Sequence, residues 1–307
     1  MKKTTTKIKL SGKSRIDGEL STSPIDRQHA RPAALGVGLA AVGLFLLLAR
    51  GASGASFAYS DFSDVSSLVM NRGAAQVGNE IDITSSSRSR AGSVYHDTRL
   101  DLSGGFVATF TFHFDNHVNA HGGSGADGMV FVLHNGPNGF SETRTDGGGI
   151  GFFNSDGYFN QTPPEASAIE NSFGIVMKSH QESTLAAYGY DETGSLIYSS
   201  GKIDLGGEAF FNTTDSHTVR LEYDPAADNE FKVFMDDMTA PRIADTFDIA
   251  GSVGDIPAIC GFTAATGGSA ETHTVESWAI APVPEPATMS LLGLGGVLTL
   301  VRRRRGA

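Results

Sequence analysis

"GGFVATFTFHF", residues 104–114, decides the fold. Phe106, Ala108, Phe110, Phe112 and Phe114 fall on one side of an extended chain, and Val107, Thr109, Thr111 and His113 on the other. A period of two with one apolar side predicts a half-buried strand, because successive side chains of an extended backbone point to opposite faces. Outward from this strand, "MVFVL", "SFGIVMK", "HTVRLEY", "FKVFM", "AICGFTA" and "THTVESWAI" repeat the signal, separated by Gly, Asn, Asp and Pro clusters. No stretch carries a helical period over a dozen residues. About 225 residues of short strands without an internal repeat predict one large all-β sandwich.

Both chain ends differ from this middle. Lys2, Lys3, Lys7, Lys9, Lys13, Arg15, Arg27 and Arg31 precede the apolar run "AALGVGLAAVGLFLLLA" at residues 33–49, and "GASGAS" follows. That order predicts an export signal with a long basic leader over residues 1–55, cut after Ala55; left uncut, the run is a membrane anchor. The other end reads "PVPEPATMSLLGLGGVLTLVRRRRGA": Pro284-Glu285-Pro286, an apolar segment over residues 287–301, then four arginines. This series resembles a PEP-CTERM sorting tail, here residues 282–307. The resemblance implies an exosortase-type enzyme as partner, a transient contact with the inner membrane, and release to the cell surface or extracellular matrix. A retained C-terminal transmembrane helix is the alternative.

Between the ends, residues 56–281 hold 10 basic and 30 acidic side chains, a net charge near −20. Such a surface repels phosphate backbones and argues against nucleic acid as a partner. Cys260 is the sole cysteine, so no disulfide closes within the chain, and "PAICGFTA" makes it a buried strand thiol.

The order of motifs is more specific than any one of them. "GNEIDITSSSRSRAGSVYH" is followed by "FVATFTFHF", "GADGMVFVL", "DGGGIGFFN" and "GFTAATGGSAETHTVESWAI". Across residues 57–280 this series resembles the legume-type (L-type) lectin family, which implies a concanavalin A-like jelly roll of two large antiparallel sheets and noncatalytic carbohydrate binding. The same resemblance assigns Asp127, after a cis peptide from Ala126, as the carboxylate that accepts hydrogen bonds from two adjacent sugar hydroxyls. An ionised carboxylate suits that task because it accepts without donating. It further implies a backbone N–H from the glycine loop, Gly148 or Gly149, and a specificity loop at Gly268, Ser269, Ala270 and Glu271, the last equally readable as a solvated acid.

The chain also departs from that family. Metal-binding relatives carry "V-E-F-D" followed by Asn, Asp and His, which hold calcium and a transition metal. The matching strand, "GIVMKSHQE", places Val176 where the Glu belongs, Lys178 where the Asp belongs, and Glu182 near the Asn. An ammonium in that position opposes a cation. The expectation is therefore no metal cofactor, with Lys178 near Glu182 or Asp127 as an internal counter-ion.

Other chemistry is weaker. "EIDIT" places Glu80 and Asp82 on one strand face, as in retaining β-glucanases, but Thr84 replaces the third acid, so a degenerate glycoside hydrolase is a minor alternative. His113, His117 and His121 have helical zinc spacing on a strand end and loop, where that spacing does not bring side chains together. Trp278 reads as packing. The sequence thus predicts an exported lectin-like binder of polysaccharide or glycan, and otherwise a structural matrix protein on the same scaffold.

Overall fold

The computed structural model describes residues 56–120, 125–154 and 167–283. Two antiparallel sheets form a sandwich. In the first, the order is β14 (Ile243–Thr246), β13 (Glu230–Met235), β12 (His217–Asp224), β6 (Phe106–Val118), β16 (Ala270–Pro282), β4 (Glu80–Thr84) and β3 (Ala75–Val77), with β1 (Phe57–Tyr59) also on β16. In the second, it is β10 (Leu196–Ser199), β9 (Thr184–Tyr190), β8 (Ser172–Lys178), β7 (Gly128–His134), β15 (Ile259–Thr266), β5 (Arg90–His96) and β2 (Leu68–Arg72), with β11 (Ile203–Asp204) on β9.

The expected alternation in β6 holds. Phe106, Phe110, Phe112 and Phe114 are buried between the sheets, while Val107, Thr109, Thr111 and His113 lie on the more open side. Phe110 stacks on Phe131 at 5.3 Å between ring centroids and meets Phe262 edge-on at 5.0 Å, so one ring ties β6 to β7 and β15 across the sandwich. Trp278 is core, packed edge-on against Phe262 at 5.1 Å. Removing a ring such as Phe110 would cost about 3–5 kcal/mol, from lost transfer energy and the cavity left behind.

β7, β8 and β9 are buried on both faces rather than alternating. A second apolar layer explains this: Ile150, Phe152, Phe153, Ala168 and Ile169 pack over Val130, Val132, Val176, Tyr188 and Tyr190 on the outer side of the second sheet. Strands covered on both sides read as continuous apolar runs. Cys260 is wholly buried and burial pushes its thiol well above the ordinary range, as expected of an inert core thiol. Its neighbour β16 crosses to the other sheet within a few residues of the end of β15, and that crossing borders the candidate site.

The expected leader and cleavage point at residues 1–55, the Pro284-Glu285-Pro286 motif, the apolar run at residues 287–301 and His121 lie outside the described residues. Among those described, no helix is long and apolar enough to cross a membrane.

Candidate functional site

Asp127 enters β7 from a cis Ala126–Asp127 peptide and is 3 % exposed. Its N–H donates to the Ala265 carbonyl at 2.9 Å, and its own carbonyl accepts from the Ser179 N–H at 3.2 Å. The acid is thereby clamped between the end of β15 and the segment leaving β8. The next residue must be glycine: Gly128 has φ +136°, and a Cβ there would lie 2.3 Å from the Met177 carbonyl oxygen.

Two turns converge on this acid. The glycines 147–149 form a 3₁₀ turn with Gly148 and Gly149 buried. Within it the Gly149 N–H donates to the Asp146 carbonyl at 3.2 Å. From the other side comes Gly267, in the crossing between β15 and β16, where a Cβ would sit 2.9 Å from Asp127 Oδ2 and 3.1 Å from the Gly147 Cα. Asp127, the glycine turn and the crossing therefore share one small patch.

The expected specificity loop takes another form. β15 ends at Thr266 and β16 begins at Ala270, so Gly267 and Gly268 supply nearly all of the turn. Ser269, Ala270 and Glu271 are buried, and Glu271 is not a solvated acid. Its carboxylate accepts from the Ser179 hydroxyl and pairs with His117 Nδ1 at 3.0 Å and His273 Nε2 at 3.1 Å. Burial pushes the Glu271 carboxyl up, but the hydrogen bonds and histidine charge outweigh it and hold the group below its ordinary value. This acid sits under the Asp127 turn: a Cβ on Gly125 would come within 1.8 Å of Glu271 Oε2.

Lys178 is 1 % exposed, and its ammonium meets Glu182 Oε1 at 2.7 Å, as the counter-ion expectation proposed. Lys202 reaches the same oxygen at 3.1 Å. Burial lowers the Lys178 pKa, while Glu182 and, more weakly, Asp127 oppose that shift. Val176 belongs to the outer apolar layer. The described residues contain no group of three or more His, Cys, Asp or Glu side chains able to hold a metal ion. A buried ammonium between carboxylates is no ligand for calcium, so this part of the chain does not fit that ion.

The remaining candidates disperse. His113 pairs with Glu276 at 2.6 Å while His117 turns to Glu271, so the two histidines do not converge. Glu80 and Asp82 lie on the partly open side of β4, and Asp82 accepts from the Thr274 hydroxyl at 2.8 Å. Sequence reasoning missed the partnership of Glu271 with His117, Ser179 and His273. Part of it was visible, because Glu271 and His273, two apart, share a strand face. The contributions of His117, on β6, and Ser179, just after β8, come from elsewhere in the chain and required the fold.

With this geometry in view, the family model for the legume lectin domain matches residues 54–290, and that for the PEP-CTERM protein-sorting motif matches residues 282–305. The fold is similar to a lectin from Bauhinia forficata solved with GalNAc, at 20 % identity, TM-score 0.58, covering 75 % of this chain and 98 % of that one. Arcelin-5, a lectin-like defence protein from Phaseolus vulgaris, aligns at 17 % identity and TM-score 0.56, covering 75 % and 98 %. The metal-free form of lectin I-B4 from Griffonia simplicifolia aligns at 16 % identity and TM-score 0.56, covering 74 % and 98 %. No match is found among characterised protein sequences.

Proposed function

The chain belongs to the legume lectin family, whose members are noncatalytic, and from that premise we propose that it is an exported carbohydrate-binding protein of the cell surface or extracellular polysaccharide matrix. The observation that carries the reading is the convergence on Asp127: a cis-linked acid at the mouth of β7, edged by the glycine turn on one side and Gly267 on the other. A carboxylate held there accepts hydrogen bonds from two vicinal hydroxyls. Gly148 is the better N–H donor to the sugar, since the Gly149 N–H already serves the turn. Ser269, Ala270 and Glu271 then support the site from beneath rather than touching the ligand.

In this reading the calcium site of metal-dependent relatives has been replaced by the pair Lys178 and Glu182, so sugar binding proceeds without metal. Residues 1–55 direct export, residues 56–281 form the binding domain, and residues 282–307 are the tail on which an exosortase-type enzyme acts at Pro284-Glu285-Pro286.

A glycan array on the purified protein tests the proposal. Binding to defined glycans that falls at least about tenfold in Asp127→Ala but not in Glu80→Ala supports it, as expected for loss of a charged acceptor worth roughly 1.5–3 kcal/mol. Silence on the array favours a structural matrix protein. Equal losses in the two variants would move the site to the outer face of β4.

A further inference from the structure

Beside the Asp127 patch lies a cleft of about 900 Å³ that neither the sugar carboxylate nor the glycine turn occupies. Three segments build it: the end of β2 with Arg72, the β4–β5 connection with Ser85 and Ser89 leading into Arg90 at the start of β5, and the approach to the glycine turn with Arg144 and Asp146. It shares walls with the sugar patch. Asp146 directly precedes Gly147, and the Ser89 N–H donates to the Gly267 carbonyl at 3.1 Å. Arg90 is anchored to the same crossing through its own N–H, which donates to Thr266 Oγ1 at 3.1 Å.

The charge of this cleft runs against that of the molecule. Three of the 10 arginines and lysines in residues 56–281 line it, in a segment that carries 30 acids. Arg144 is already committed, at 2.8 Å from the buried Glu142 and paired with Glu170. Arg72 uses one nitrogen on the Arg144 carbonyl at 3.0 Å. Arg90 is exposed, and among the described residues its guanidinium makes no hydrogen bond or ion pair. Asp146 is the single unpaired acid in the lining, so Arg72 and Arg90 leave a surplus of positive charge.

We propose that this cleft is an anion subsite for an acidic saccharide, a sugar bearing a carboxylate or sulfate group, with Arg90 and Arg72 holding the anion while the adjoining sugar lies on Asp127. The placement of the adjoining sugar on Asp127 rests on the carbohydrate-binding reading above, and the anion subsite rests on the cleft alone. Guanidinium groups suit the role because they present paired donors in the plane that a carboxylate or sulfate edge requires. The volume lies within the range of small-ligand pockets and leaves room for more than one ring. Because the protein as a whole repels polyanions, recognition of an acidic polymer has to come from such a local exception rather than from the overall field.

The test follows the arginine side-chain Nε–H resonances of the purified protein during titration with glucuronate, glucose 6-sulfate and glucose, with Arg72→Lys and Arg90→Lys used for assignment. Saturable shifts of Arg90 and Arg72 with one or both anions, and none with glucose, are expected; the anion giving the tighter curve identifies the group. The double variant Arg72→Ala/Arg90→Ala should weaken the anion at least about tenfold at unchanged melting temperature. Silent arginines, or equal shifts with glucose, overturn the proposal. Asp127→Ala separates it from the lectin reading: arginine shifts with an anion in a protein whose neutral-sugar binding is absent, or survives Asp127→Ala unchanged, leave the anion subsite standing and remove the sugar site at Asp127. Silent arginines with neutral-sugar binding that is lost in Asp127→Ala do the reverse.

Discussion

Lys178 Nζ stands 2.7 Å from Glu182 Oε1, one residue 1 % exposed and the other with 41 % of its side chain in solvent. The asymmetry decides what each substitution does. Glu182→Gln strands an ammonium that burial already makes less basic, with Asp127 as the remaining opposing charge. Stability should fall by about 1–3 kcal/mol, the cost of a buried charged group losing its partner when that partner is itself half-solvated. Lys202→Met leaves the Lys178 contact intact and should cost under about 1 kcal/mol. Urea denaturation of the two variants reads the difference, and equal small losses would mean that Asp127 rather than Glu182 holds the ammonium.

The same pair bears on metal dependence. Calcium prefers six to eight oxygen ligands. In the segment that the proposed function reads as the replaced metal site, Val176 lies in an apolar layer and Lys178 in an ion pair. Sugar affinity should therefore survive EDTA, and the melting temperature should not rise with millimolar calcium. Loss of binding on chelation with recovery on calcium would show that another set of residues supplies the ligands.

The sheets were legible because β6 and β12 each have one open face, so that Phe106 to Phe114 and Val219, Leu221 and Tyr223 alternate with polar residues. β8 gave no alternation, since Val176 and Met177 are both buried, each against a different layer. Asp127 and the glycine turn were named through the resemblance to the lectin family, which attaches to short contiguous motifs, Ala-Asp-Gly and three consecutive glycines, and so needs no long-range contact to be read. Glu271 could not be placed. Its environment is set by His117 on β6 and Ser179 after β8, and the crossing of β15 to β16 between sheets leaves no sequence periodicity to reveal it. The arginine cleft was illegible for a similar reason, being assembled from three separate segments around residues 72, 85–91 and 143–146.

Stability should also depend on pH below neutrality. His134 is fully buried in β7, its Nδ1 accepts from the Gly136 N–H at 3.1 Å, and burial lowers its pKa to about 3, with Arg99 and Arg144 acting in the same direction. The folded state therefore keeps the ring neutral while the unfolded chain protonates near 6.5. This contribution is fully present above pH 6.5 and is lost as pH falls from there toward 3, at no more than about 1.4 kcal/mol per pH unit. Burial shifts His96 and His180 the same way. Denaturant midpoints measured between pH 7 and 5 should decline, and His134→Gln should flatten the slope. An unchanged slope would assign the decline to the other two histidines.

Glu271 offers the sharpest test of how the site is held. The acid takes hydrogen bonds from Ser179, His117 and His273, and His273 passes the connection to Thr84 through a 2.6 Å contact at Nδ1. Ser179 also donates its N–H to the Asp127 carbonyl at 3.2 Å, so two bonds join the buried acid to the proposed sugar ligand. Glu271→Gln keeps the volume but removes the charge that orients these donors and replaces one acceptor oxygen with an NH₂ facing other donors. Stability should drop by about 2–4 kcal/mol, near the value for breaking a buried charged network. If Asp127 carries binding, sugar affinity should fall as well, although Glu271 is fully buried. The amide resonances of Gly125, Ala126 and Asp127 should move in the variant without ligand. A surface loop acid would give none of this, so an unshifted melting temperature with those three amides unmoved would refute the supporting role.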